Sequence, residues 1–179
     1  MHYYQAIALN TPEYDNTELR KGGWVMTTKG SFTKRDRAYV EESQIETYRQ
    51  LAGIRNGGRK SPSDVNPAAY RSLKDVFLMA ASIGVKIGRR TPLRERKELI
   101  MTSYLNNYPD MAVLNAIAIA DKQGVDVLTN QDEILTIAEE YANTGFEELS
   151  RTVLAAGIPL LNLAAYLLEE FEDESSASS

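Results

Sequence analysis

The run Asp75-Val-Phe-Leu-Met-Ala-Ala-Ser-Ile-Gly84-Val-Lys-Ile-Gly88-Arg89-Arg90-Thr91-Pro92-Leu93 commits this chain to helices. Leu73, Val76, Phe77, Ala80, Ala81 and Gly84 recur at i, i+3, i+4, the period of a helix that buries one face. Arg89 and Arg90 follow, where cations complement the last carbonyls, and Thr91-Pro92 stops the helix. Asn66 and Pro67 read as its cap and first helical position. The same period returns three more times. Pro109-Asp110 opens a stripe of Met111, Leu114, Ile117 and Ala118 that closes near Gly124. Asn130, with Asp132 and Glu133 behind it, opens Ile134, Ile137, Ala138 and Tyr141. Pro159 opens Leu160, Leu163, Ala164, Leu167 and Phe171.

Between the last two, Thr144 and Glu147 have the spacing of a capping box, so a separate short helix is expected over Phe146, Leu149 and Val153, ended by Gly157. An earlier helix is expected from Asp36 to Asn56, with Val40, Gln44, Ile45, Tyr48, Leu51 and Ala52 near one face. Residues 93–105 carry a weaker helical pattern. The spacing therefore predicts a mainly α fold, a five- to six-helix bundle with short loops and antiparallel neighbours.

Residues 1–33 read differently. His2–Leu9 and Trp24–Thr28 are rich in aromatic and β-branched residues, bounded by Asn10-Thr-Pro12, Gly22-Gly23 and Gly30. They fit a short N-terminal β-ribbon or a flexible arm, since a lone ribbon is marginal in water. The Gly/Ser/Pro-rich stretch from Gly57 to Asp64 reads as a junction. The expected organisation is an N-terminal appendage over 1–60, a helical body over 61–171, and a disordered acidic and serine-rich tail over 172–179.

The chain has 179 residues and no cysteine, which removes disulfide frameworks, zinc–thiolate sites and cysteine nucleophiles. No apolar stretch has the length of a membrane span, and the N-terminus lacks the build of a signal peptide, so a cytoplasmic protein with no membrane partner is expected. Charge is uneven: residues 1–100 carry +7 and residues 101–179 carry −12. Either the halves meet partners of opposite sign, or the basic half docks on the acidic half.

Catalytic constellations are sparse. His2 is the sole histidine, so a histidine-based metal site or a Ser-His-Asp triad has no foundation. Glu139 and Glu140 are adjacent on one helix, where neighbours point roughly 100° apart and cannot share a site; they read as a solvated, charge-paired edge. Asp132, Glu133 and Glu139 lack the Glu-x-x-His pairs of di-metal bundles. Gly84-x-x-x-Gly88-Arg89-Arg90-Thr91 is one residue short of a phosphate loop and lies at a helix C-terminus, where carbonyls rather than amides point outward. Gly84 reads more simply as a place for another helix to approach. No catalytic residue, cofactor or metal is expected.

The remaining signal is cationic: Lys34, Arg35, Arg37, Arg55, Arg59, Lys60, Arg89, Arg90, Arg94, Arg96 and Lys97. Converging in space, they would suit a phosphate backbone, with Trp24, Tyr48 and Tyr70 available for stacking. The interleaved Glu41, Glu42, Glu46, Glu95 and Glu98, and a pI near 5.0, argue for a salt-bridged face instead.

Two blocks carry a family resemblance. The first is Asp75–Gly84 followed by Gly88-Arg89-Arg90-Thr91-Pro92-Leu93. The second is Ala116-Ile-Ala-Ile-Ala120, Val127-Leu128, then Ile137-Ala-Glu139-Glu140-Tyr141-Ala142-Asn143-Thr144-Gly145, with Glu148-Leu149 after it. In order and spacing, residues from about Leu73 to Leu167 resemble Dnd system-associated protein 4, a family of small proteins encoded beside DNA-phosphorothioation defence genes. The resemblance implies association with a bacterial anti-phage DNA-modification or restriction operon, and it transfers no active site. The polar members of the shared blocks, Arg89, Arg90, Glu139, Glu140, Tyr141 and Asn143, form either a contact surface or an internal polar bracket.

The expected function is a non-enzymatic accessory subunit that binds a larger ATPase, nuclease or modification subunit of the same defence system. Tyr3, Tyr4, Trp24, Glu139 and Glu140 are the candidate partner contacts. The alternative is a DNA-binding or regulatory protein whose contacts are Lys34, Arg35, Arg37, Arg59, Lys60, Arg89, Arg90 and Arg94. Oligomeric state stays open.

Overall fold

The computed structural model describes residues 35–55, 58–59 and 68–177. The expected ribbon or arm over 1–33 lies outside the described residues, and so do Asn66 and Pro67, which do not open the expected helix: residues 68–70 are not helical and that helix starts at Leu73 behind Ser72. In chain order the elements are β1 (Arg37–Glu41), α1 (Ile45–Leu51), β2 (Ile54–Arg55), β3 (Gly58–Arg59), α2 (Leu73–Ile87), β4 (Arg96–Met101), α3 (Tyr108–Lys122), α4 (Gln131–Val153) and α5 (Pro159–Ala177). The described fold is mainly helical, with five α-helices and two small two-stranded antiparallel sheets.

Two of the expected helical stretches contain strands. In β1 only Ala38 and Val40 are buried, a period of two that suits one covered sheet face. The helix expected from Asp36 therefore begins only at Ile45 and stops at Leu51. Residues 93–105 hold β4 and a short 3₁₀ turn, Thr102–Leu105. β1 and β4 pair with Ala38 opposite Ile100 and Tyr39 opposite Glu98, so Leu99 is an extra residue, a β-bulge on β4.

α2 begins at Leu73, and Ser72 Oγ accepts the Asp75 amide at 3.3 Å. It ends at Gly88, whose φ of 73° closes the helix with its N–H on Gly84 O and Val85 O. Asn107 and Asn130 cap α3 and α4 in the same way, accepting from the Asp110 and Glu133 amides.

The expected break at Thr144 does not occur. α4 runs unbroken for 23 residues, and Thr144 sits inside it at 4% exposure. Two expected helices are thus one, because Thr144 bonds across to Thr91 and back to Glu140 O rather than capping. At the other end α5 continues to Ala177, past Phe171.

α2 and α4 form the centre of the fold and cross where small residues meet. Gly84 lies against the backbone of Tyr141, and Gly145 against that of Ala80. The approach that Gly84 suggests from sequence is therefore made by α4. Around this crossing pack Val76, Phe77, Ala80, Ala81, Ile134, Ile137, Ala138, Ala142 and Leu149. From α1, Tyr48 is fully buried and stacks on Phe146 with ring centroids 4.0 Å apart and planes 8° from parallel. Among the described residues the Tyr48 hydroxyl finds no hydrogen-bond partner, and burial pushes its ionisation far above the usual tyrosine range. Removing that orphaned hydroxyl should help: Tyr48→Phe is expected to raise stability by about 1 kcal/mol, seen as a higher midpoint in urea unfolding. A lower midpoint would mean that the hydroxyl has a partner.

Candidate functional site

The polar residues of the shared blocks converge along one side of α4. Glu139 is 1% exposed, which an edge carboxylate would not be. Its Oε1 accepts the Arg35 guanidinium and, at 2.8 Å, the Tyr39 N–H; its Oε2 accepts Arg96 Nη2 at 2.9 Å. The bulge explains the backbone donor. Where Leu99 interrupts the β1–β4 register at Tyr39, that amide turns to a side chain instead of the ladder. Both cations also approach the Tyr39 ring, with the Arg35 and Arg96 guanidinium carbons 5.3 and 4.8 Å from its centroid. Burial pushes the Glu139 carboxyl up, against the pull of Arg35, the Tyr39 amide and Arg96.

One residue on, Glu140 faces another way, as helix geometry requires. Its Oε2 accepts Arg90 Nε at 2.8 Å and Nη2 at 2.5 Å, while Arg90 Nη1 reaches Asp121 Oδ2 on α3 at 2.7 Å. Tyr141 donates to the other Asp121 oxygen at 3.0 Å. Burial and that bond to Asp121 both raise the Tyr141 phenol, so it is no ready base or nucleophile. Arg90 therefore reaches across to α3 and α4 instead of complementing the α2 carbonyls.

A third set grips the Thr91-Pro92 elbow. Thr91 donates its N–H to Glu140 O at 3.1 Å and shares a hydroxyl bond with Thr144 at 2.8 Å. Asn143 Nδ2 donates to Thr91 O at 3.1 Å, and its Oδ1 accepts Gln44 Nε2 at 2.9 Å. Asn143 is thus a clamp in the middle of α4.

These contacts have the geometry of the internal bracket. They join the segment after α2, the entry to β1 and the end of α3 to one helix. They also bring the two charge halves together: Arg35, Arg90 and Arg96 from the basic half meet Glu139, Glu140 and Asp121 from the acidic half, and Lys74 meets Asp110 at 2.6 Å. The Glu139–Glu140 pair is accordingly no solvated edge, and Glu139 has no free carboxylate face for a partner.

The eight candidate DNA contacts divide into paired residues, exposed residues and residues outside the described set. Arg35 and Arg90 belong to the bracket, and Arg37 bonds Glu98 and Asp36, each at 3.4 Å. Lys34 and Lys60 lie outside the described residues, as do the candidate partner contacts Tyr3, Tyr4 and Trp24. Arg59 is described only through its backbone, paired with Ile54 in β3. Arg89 and Arg94 are exposed and carry no ion pair among the described residues. Their flanking cations Arg96 and Lys97 are taken by Glu139 and Glu42.

Sequence reasoning missed Asp121 and Tyr39. Asp121 carried a signal, since an acid in the last turn of a helix opposes the helix dipole unless a cation answers it. Tyr39 carried only the two-residue period of its neighbours.

Among the described residues no group of three or more His, Cys, Asp or Glu could hold a metal ion, and no helix is long and apolar enough to cross a membrane. A hollow of about 630 Å³ beside the start of α2 is lined by Ile54, Arg71, Ser72, Leu73, Lys74, Ile100 and Tyr104, a set without a carboxylate or imidazole for acid–base work.

A family model described as DNA sulphur modification system-associated protein 4 matches residues 61–179. No curated protein and no solved structure matches the chain.

Proposed function

Because the chain belongs to the DNA sulphur modification system-associated protein 4 family, we propose that it is a non-catalytic accessory subunit of such a system, docked on a larger ATPase, nuclease or modification subunit. One contrast carries this reading. The polar side chains of the two family blocks are largely spent on internal pairs, while large apolar side chains of the same region stand in solvent. Tyr108 is 87% exposed, and Val125, Leu161 and Leu168 are each above 60%. Internally neutralised carboxylates offer little to a reaction; exposed Leu and Tyr offer anchors to a protein surface.

The test is purification of the tagged full chain from its own host at physiological salt. The expected result is one larger protein of the modification system in stoichiometric amount. Recovery of DNA instead, lost on nuclease treatment and in high salt, would overturn the adaptor reading.

Arg89 and Arg94 favour that second reading, direct DNA contact through the basic half. Two phosphate contacts predict a log–log salt slope of about −1.8. A binding constant that does not change with salt would remove it.

A further inference from the structure

Helix α5 is apolar on both sides. Leu163 is buried toward the core, with Tyr166 and Leu167 packed beside it. On the outside Leu160, Leu161 and Leu168 are 44, 61 and 64% exposed, and Ala164 and Ala165 are exposed between them. Leu161, Ala164, Ala165 and Leu168 fall at i, i+3, i+4 and i+7, the seam with which one helix meets another. A helix that is apolar all round is covered on both sides, and among the described residues nothing covers this one. The face is also held in place: Asn162 Nδ2 donates to Val153 O and Ala155 O, both at 3.1 Å, fixing α5 to the end of α4.

Charge names the occupant. After Arg151 the chain has no Lys or Arg, and the end of α5 reads Glu169-Glu-Phe-Glu-Asp-Glu174. The helix has no basic residue in its last turn. Five acids with no cation among them leave this end of the helix wanting a positive partner, and Glu174, in the last turn, adds to the negative pole of the dipole. A second copy of α5 does not supply one. Paired in parallel it sets acid against acid; paired antiparallel it sets the acids against residues 152–168, which hold no cation.

We propose that the outer face of α5 docks an amphipathic helix of a partner protein, with Leu or Ile against the Leu161–Leu168 seam and Lys or Arg against the acidic end. This rests on the adaptor reading and gives it a site.

The probe is a synthetic three-heptad peptide with Leu at the seam positions and Lys beside them, and a sister peptide with Glu in place of Lys. Each is fluorescently labelled and titrated with the full chain. The Lys peptide is expected to bind roughly tenfold or more tightly than the Glu peptide. The double variant Leu161→Gln, Leu168→Gln should lose that binding while its circular dichroism and melting stay as in the parent, because both side chains are exposed. Equal binding of the two peptides, or unchanged binding by the double variant, would overturn the proposal. So would sedimentation showing a dimer that the double variant dissociates, since the occupant would then be a second copy. Purification from the host separates the two levels of the argument. If the double variant still brings down the stoichiometric partner, the placement on α5 fails and the adaptor reading stands; if the parent chain brings down no protein, the adaptor reading itself fails.

Discussion

Gly145→Ala should cost the protein about 3 kcal/mol or more, a large share of an ordinary stability of about 5–15 kcal/mol. A Cβ at position 145 would sit 2.0 Å from Ala80 O and 2.4 Å from Gly84 N. Gly84→Ala should do comparable damage, with its Cβ 2.0 Å from Tyr141 O and 2.7 Å from the carbonyl carbon. All of these are backbone atoms, so no rotamer change relieves the overlap, and the helices must part. Parting α2 from α4 uncovers the Phe77, Ala80 and Ala81 side of one helix and the Ala138 and Ala142 side of the other. Gly88→Ala is the control. Its Cβ would meet nothing within 4 Å, so only the left-handed backbone is penalised, by about 1 kcal/mol. Urea midpoints of the three variants should fall in that order, with Gly88→Ala well above the other two. A Gly145→Ala midpoint close to that of the parent would show that the α2–α4 crossing is looser than described.

The legible part of this fold is the part governed by one period and one cap. The stripe Leu73–Gly84 and the Asn130 cap are local chemistry, and each lands where the sequence puts it, while the helix stops at Gly88, short of the expected Thr91-Pro92. The strands were not legible, because Ala38-Tyr39-Val40 is too short for its period to compete with the helical pattern running through Ile45, Tyr48 and Leu51. What makes it a strand is pairing with residues 96–101, about sixty positions away. Thr144–Glu147 misled for a related reason. A capping box is a local preference, and here the Thr144 hydroxyl is committed to Thr91 on another segment.

The candidate site was legible as a set of residues and not as a set of partners. Arg90, Glu139, Glu140, Tyr141 and Asn143 stand in the two blocks that carry the family resemblance. Nothing local says that Arg90 meets Glu140 and Asp121, or that Glu139 meets Arg35, Tyr39 and Arg96. Those pairs exist only once α2, α3, α4 and β1 are packed. The charge split between the halves was the one long-range hint, and the bracket uses it: cations from residues 35–96 close on acids from residues 110–140.

Glu139→Ala should be the most damaging change within that bracket, and Glu139→Gln should be mild. Truncation to Ala strands the Tyr39 N–H at the bulge and takes from Arg35 and Arg96 their shared acceptor. Breaking a fully buried pair costs 3–5 kcal/mol, but Arg35 and Arg96 keep 20 and 48% of their side-chain surface and can turn to water, so about 2–3 kcal/mol is expected. Gln keeps the shape and an oxygen for the Tyr39 amide and removes the buried charge, so a loss of about 1 kcal/mol is expected. The pH dependence follows from the direction of the Glu139 shift. Burial lifts its folded-state pKa above the unfolded value, so the fold holds the proton more tightly than the open chain does. The stability that this linkage contributes is fully present below the unfolded carboxyl range and is lost as pH rises through the folded pKa. Glu139→Gln has no such proton to lose. Its deficit relative to the parent should therefore be largest in acid and shrink toward neutral pH, read as the gap between urea midpoints across a pH series. A gap that widens instead would mean that Arg35 and Arg96 outweigh burial at this carboxylate, and that the bracket is held by its charges rather than by its shape.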